Sequence, residues 1–160
     1  MRRKDREVTG RENIEAILKA CKVCRIAMIA EGKPYVIPMN FGYEWDDNGL
    51  TLYFHSGLKG KKIDAMRADP HVCFEMDIED GVIEGGDVAC QYSYAFSSII
   101  GEGCVQFAEN NEQKRHGFDI IMQQLTGREG WTYSDAHLSV AEVFMVRADS
   151  LEASRKTPRN

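Results

Sequence analysis

The sequence predicts a mainly β fold, an antiparallel barrel with helices packed at its periphery. Three observations carry this. Runs rich in β-branched and aromatic residues follow one another closely, the turns between several of them are short enough for hairpins, and only three stretches show helical periodicity. An antiparallel sheet must bury one face, and curling it around its own core with helices outside is the natural layer solution.

The elements follow in order. Thr9 and Glu12 have capping-box spacing, and Ile14, Ile17, Leu18 and Cys21 continue as an i, i+3, i+4, i+7 stripe, so a first helix is expected there. Residues 23–30 form a strand run, 31–34 a turn, and 35–45 a second run interrupted at Pro38. Asp46-Asp47-Asn48-Gly49 is a hairpin turn into a third strand, 50–55, with Leu50, Leu52 and Phe54 on one face and Thr51, Tyr53 and His55 on the other. Gly57 and Gly60 bracket a turn before a short helix over 61–68, which Asp69-Pro70 ends. Residues 71–78 read as a fourth strand and the acidic, glycine-rich 79–91 as a loop. Residues 93–107 form a long strand whose Gly101 and Gly103 suggest a bulge or tight bend. A helix over 109–125 presents Phe118, Ile121, Met122 and Leu125; a loop over 126–135 carries Trp131 and Tyr133; a last strand spans 140–146. The expected organisation is a single domain over 1–150 with a polar tail over 151–160.

Charge and cysteine usage narrow the function classes. A net charge of −5 opposes general nucleic-acid binding, which needs a basic footprint. No apolar run approaches the ~18 residues of a membrane span. The charged start, Met1-Arg2-Arg3-Lys4-Asp5-Arg6, leads into no apolar leader segment. The expectation is a cytoplasmic protein with neither nucleic acid nor membrane as partner. An odd count of five cysteines points to free thiols. Cys21-Lys22-Val23-Cys24 has CxxC spacing, but nothing supplies the other two ligands of a zinc site, and the pair precedes a strand instead of opening a helix. Both cysteines read as structural. His71, His116 and His137 lack ligand spacing, so no metal is expected.

The chemistry concentrates at residues 52–64. A strand ends in His55 and Ser56, a glycine turn follows, and the next helix opens on Lys61 and Lys62. A helix start offers unpaired amides and the positive end of a dipole, and lysines there supply the charge a phosphate needs. The alternative is that two lysines are simply solvated, although lysines at a helix start oppose the dipole. Tyr92, Tyr94 and Phe96, with Trp131 and Tyr133, form either an aromatic wall or ordinary packing. No Walker loop, HExxH motif, Ser-His-Asp order or GxGxxG fingerprint is present.

Four pieces in order carry a family resemblance: Met1-Arg2-Arg3-Lys4; Pro34-Tyr35-Val36-Ile37-Pro38-Met39-Asn40-Phe41; Leu52-Tyr53-Phe54-His55-Ser56 followed by Gly60-Lys61-Lys62-Ile63-Asp64; and Tyr94-Ala95-Phe96-Ser97-Ser98-Ile99-Ile100-Gly101. Together they resemble the flavin-binding split β-barrel proteins related to pyridoxamine 5'-phosphate oxidase, within them the branch of the 5-nitroimidazole resistance reductases. The resemblance implies a homodimer with flavin mononucleotide (FMN) sites at the subunit interface. It places the ring along Pro38, Met39 and Asn40, His55 and Ser56 near the ring edge and ribityl chain, and Lys61, Lys62, Ser97 and Ser98 at the phosphate. It implies an oxidoreductase that takes electrons from a donor and reduces a small planar acceptor, a nitroaromatic or quinone, with His55 as the candidate catalytic residue. The chain departs from the pattern at Ala95-Phe96-Ser97, where relatives often carry a basic residue before the serine. The alternatives are a non-catalytic flavin-binding or sensing module, or a related barrel using haem or a deazaflavin. Haem would need an axial ligand from His55, His71, His116 or His137.

Overall fold

The computed structural model describes residues 3–157. Met1 and Arg2 of the opening motif, and residues 158–160 of the expected tail, lie outside the described residues. The elements are α1 (Arg11–Ala20), β1 (Cys24–Ala30), β2 (Lys33–Met39), β3 (Gly42–Asp46), β4 (Gly49–Gly57), α2 (Lys61–Ala68), β5 (His71–Ile83), β6 (Ser93–Phe107), α3 (Asn111–Thr126), α4 (Asp135–Ser139) and β7 (Ala141–Lys156), with 3-10 turns at Lys4–Arg6 and Ala89–Gln91.

All seven strands join one sheet in the order β2-β1-β5-β6-β7-β4-β3, each neighbour antiparallel. The edges of this sheet, β2 and β3, are consecutive in the chain and linked only by Asn40 and Phe41. Three Cα steps reach at most ~11 Å. A flat sheet would hold those edges ~29 Å apart, six strand spacings. The sheet therefore curls until its edges meet, which is the barrel the sequence predicts, and Asn40-Phe41 spans the seam.

Alternating side chains of the strands fill the inside. Ile26, Leu52, Phe54, Phe74, Met76, Ile99, Phe144 and Val146 are all but sealed from solvent. Each such side chain contributes roughly 1.5–3 kcal/mol by leaving water. The helix α1 adds Ile14, Ile17 and Leu18 to this core, and α3 packs outside against β3 and β4. The irregularity falls beside Gly103 as expected, but the extra residue is in β7: Glu102 faces Ser150 and Gly103 faces Ala148, leaving Asp149 unpaired in the ladder. A Cβ on Gly103 would lie 2.1 Å from the Arg147 carbonyl oxygen, so the strands can approach there only with glycine.

Several expectations need correction. The α1 N-cap is Gly10, which makes no side-chain bond. The Thr9–Glu12 capping box does not form; the Asn13 amide donates to the Thr9 carbonyl instead. The 35–45 run breaks at the seam and not at Pro38, which stays paired opposite Arg25. An edge strand tolerates proline because one side of its ladder is free. The arm read as a loop is strand as far as Ile83, carried past an irregularity between Glu79 and Val82. The 126–135 loop leads into α4, capped by Ser134 accepting from the His137 amide. Leu125 is 59% exposed and lies off the packed stripe of α3, where Gly117 and Ile121 are the buried positions. The expected tail over 151–160 is the largest miss. β7 continues to Lys156 and pairs with β6 up to Phe96. Those residues are mostly polar, so only a partner distant in sequence makes them a strand.

Candidate functional site

The seam brings three elements together. The end of β2 contributes Pro38 and Met39 and the seam link contributes Asn40. On the other side of the seam β4, the neighbour of β3, contributes His55, and α2 contributes Lys62. These five residues, with Val23, line one cleft of about 260 Å3. Ser56 follows His55 but is turned inward and pairs along the ladder with Glu142.

The start of α2 is open to a ligand. Gly60 caps it without a side chain, and its carbonyl accepts from the Ile63 amide at 2.8 Å and the Asp64 amide at 3.1 Å. The amides of Lys61 and Lys62 precede these bonds and are orphan donors of the first turn. Successive helical residues point about 100° apart, and the two lysines separate accordingly. Lys62 faces the cleft. Lys61 turns away, its Nζ 3.5 Å from a Glu31 carboxylate oxygen and 5.1 Å from the centre of the Tyr35 ring.

His55 is held from behind. Its ring packs on Phe118 with centroids 5.3 Å apart, and Phe118 stacks on Tyr133 at 5.4 Å. The Tyr133 hydroxyl donates to Asp119 at 3.0 Å, anchoring the stack. Desolvation, and then the nearby Lys62 charge, hold the His55 imidazole below its usual 6.5. At neutral pH it is therefore uncharged, with one ring nitrogen donating and the other accepting.

The two β6 serines stand elsewhere. Ser97 is buried and its Oγ accepts from Arg155 Nε at 3.0 Å; Ser98 shares a 3.0 Å hydroxyl–hydroxyl bond with Ser154. Neither lines the cleft. Tyr92 and Tyr94 are half-exposed on the same β6 region, also away from the cleft.

The cysteines and two further histidines are engaged as follows. Cys21 and Cys24 are buried, and desolvation pushes their thiols up to about 11 and about 12, so both stay protonated. His71 pairs with Asp69 at 2.7 Å and His116 with Glu44 at 3.0 Å. Among the described residues no three His, Cys, Asp or Glu side chains gather as a metal site, and no helix is long and apolar enough to cross a membrane. Sequence reading missed Val23 and Phe118 at the site and Arg155 on Ser97. Val23 looks like an ordinary strand residue and Phe118 like core stripe; only the folding of α3 over β4 gives Phe118 its place.

Known proteins share this fold. A protein from Bacteroides thetaiotaomicron VPI-5482, described as a candidate 5-nitroimidazole antibiotic resistance protein, is 34% identical and superposes with a TM-score of 0.80 over 93% of this chain and 86% of its own. A flavocytochrome from Azotobacter vinelandii (18% identity, TM-score 0.84, covering 99% of this chain and 73% of that one) and an FAD-binding protein from Mesorhizobium loti (23%, 0.62, 93% and 96%) share the fold. An uncharacterized protein from Rhizobium meliloti (strain 1021) is 30% identical over 69 residues, 43% of this chain, and the match spans 42% of that curated relative's length. The profile of the family described as Pyridoxamine 5'-phosphate oxidase matches residues 10–157. With nearly the whole length matched and the seven-stranded split barrel in place, the chain belongs to the pyridoxamine 5'-phosphate oxidase family.

Proposed function

We propose that this protein is an FMN-binding oxidoreductase, active as a homodimer, that accepts electrons from a donor and reduces a small planar acceptor of the nitroaromatic or quinone type. The observation that carries the reading is the convergence of Pro38, Met39, Asn40, His55 and Lys62, drawn from β2, the seam link, β4 and α2, on one cleft at the barrel seam. The donor set there fits a flavin mononucleotide. The Lys62 ammonium and the orphan amides at the start of α2 suit a phosphate. The Pro38–Asn40 segment offers an extended edge for a flat ring. Bound flavin supplies the electron-transfer chemistry. The protein's own part is to grip the phosphate through Lys62, to align the ring along β2, and to aim a neutral His55 as hydrogen-bond donor at a ring oxygen or at an anionic acceptor.

The likeness to the Bacteroides protein supports the acceptor class. Dimerisation is supported by apolar side chains left half-exposed on the outer sheet face, Ile29, Val36, Val82, Tyr94 and Ile100. In this reading Ser97 and Ser98 reach a phosphate only across the subunit interface. Lys61, committed to Glu31 and Tyr35, contributes its backbone amide.

The test is a visible spectrum of the purified protein with mass identification of any released cofactor. A band near ~450 nm, set by the cofactor's own chemistry, with FMN released, is expected. A Soret band, or a colourless protein that takes up no FMN, overturns the assignment. Bound FMN that no donor reduces and no nitroaromatic or quinone reoxidises makes the protein a binding module instead of an enzyme.

A further inference from the structure

Helix α3 lies over the outer face of β3, β4 and β7, the face that also carries His55. The approach is close because both sides are trimmed to glycine. A Cβ on Gly42 of β3 would run into the Ile120 carbonyl, and one on Gly117 of α3 would lie 2.6 Å from Val143 Cγ1 and 3.4 Å from Tyr53 Cδ1. Apolar burial alone holds this helix lightly, since its buried residues are Gly117 and Ile121.

A polar clasp fixes its position. One carboxylate oxygen of Glu44, Oε2, accepts from the Tyr53 hydroxyl at 2.5 Å and from His116 Nε2 at 3.0 Å. The His116 ring stands edge-on to Tyr53, at 80° and with centroids 5.5 Å apart. Tyr53 is only 9% exposed, so its hydroxyl depends on that carboxylate for a partner. Desolvation, and then the Glu44 bond, hold the hydroxyl above its usual 10, so it stays a donor. His116, Gly117 and Phe118 are consecutive, and the clasp therefore grips α3 two residues before the ring that backs His55. Tyr53 and His55 are likewise two residues apart on one face of β4. A single helical turn thus meets the strand twice, by hydrogen bond beside Tyr53 and by ring contact at His55.

We propose that Glu44 is a positioning residue: by holding α3 through Tyr53 and His116 it keeps Phe118 against His55, and so sets the hydration and aim of that imidazole. This rests on the reading of His55 as the group directed at the flavin ring or the acceptor. Glu44 does not line the cleft and acts through the helix. Burial and then Lys62 are what lower the His55 pKa. Deleting a nearby negative charge would lower a histidine pKa further, whereas admitting water raises a depressed one. The direct and the helix-borne routes therefore have opposite signs.

NMR titration of the His55 imidazole in the full chain as purified tests this, with denaturant unfolding followed in parallel. Glu44→Ala is expected to raise the His55 pKa toward 6.5. Glu44→Gln, whose amide oxygen still accepts, should stay near the parent value. In a Phe118→Ala background Glu44→Ala should shift nothing further, because its route is gone. Tyr53→Phe removes the hydroxyl together with its need for a partner; it should give a smaller shift of the same sign, and it decides the matter if Glu44→Ala does not fold. With FMN bound, Glu44→Ala should lower kcat for a nitroaromatic acceptor by about tenfold and leave FMN affinity within about twofold. The proposal is overturned by a His55 titration that stays put or moves down in the folded variant, by a Gln variant that matches Ala, by a shift that survives in Phe118→Ala, or by an unchanged kcat. The imidazole titration needs no turnover, so a protein that binds no FMN or reduces no acceptor overturns the flavin reading alone.

Discussion

The seam cleft and a groove lined by Arg3, Arg6, Arg155 and Lys156 both gather positive charge, but they are assembled differently. The cleft draws on residues 23–62, with one lysine aimed inward and its neighbour turned away. The groove draws on the first described residues, the end of β7 and the connection between β5 and β6, with a guanidinium locked by a buried hydroxyl. One site depends on closure of the barrel, the other on the pairing of β6 with β7. Disturbing either piece of framework should therefore harm one site before the other.

The largest effect is expected at the seam. A Cβ on Gly42 would lie 2.3 Å from the Ile120 carbonyl oxygen on α3, backbone that cannot swing aside. Gly42→Ala should cost about 1–3 kcal/mol in denaturant unfolding and lower flavin content. Unchanged stability and flavin content would show that the seam tolerates the added carbon.

Next comes Lys62→Ala, which should weaken FMN by about tenfold or more and riboflavin much less, since only FMN carries the phosphate. An equal loss for both ligands would move the phosphate elsewhere.

A smaller effect concerns His55. Phe118→Ala should raise the His55 pKa toward 6.5 by admitting water to the ring, read by NMR titration of the imidazole. The folded chain holds this histidine below 6.5, so unfolding takes up a proton on the acid side. The stability His55 contributes is complete above about pH 6.5 and is lost as pH falls through the depressed folded value. His55→Asn should flatten that acid limb. A limb that Asn leaves unchanged belongs to other groups.

The smallest change is expected from Lys61→Ala. Its ion pair with Glu31 is exposed, of the kind worth 0–1 kcal/mol, so FMN affinity should stay within about twofold. A loss matching that of Lys62→Ala would show that Lys61 swings into the cleft.

What could be read from the sequence follows the same division. The β3–β4 hairpin, α2 and the limits of β6 depend on neighbours a few residues away, and the 46–49 turn and 61–68 helix marked them correctly. The cleft residues were legible because a strand end, a glycine turn and a basic helix start announce themselves locally. The two lysines could not be told apart, since their divergence depends on Glu31 and Tyr35 lying beside α2. The Phe118–Tyr133 stack behind His55 was equally hidden, because α3 reaches β4 only in the folded barrel. Residues 151–156 looked like a tail for the same reason: their partner strand begins more than fifty residues earlier.

The position of β7 between β6 and β4 has a consequence for synthesis. Until residues 141–156 have left the ribosome, the β3–β4 hairpin and the β5–β6 pair have no strand to join them, and each presents a bare edge to whatever is nearby. The nascent chain must therefore wait for β7 before the barrel can close, a delay during which chaperone protection matters most.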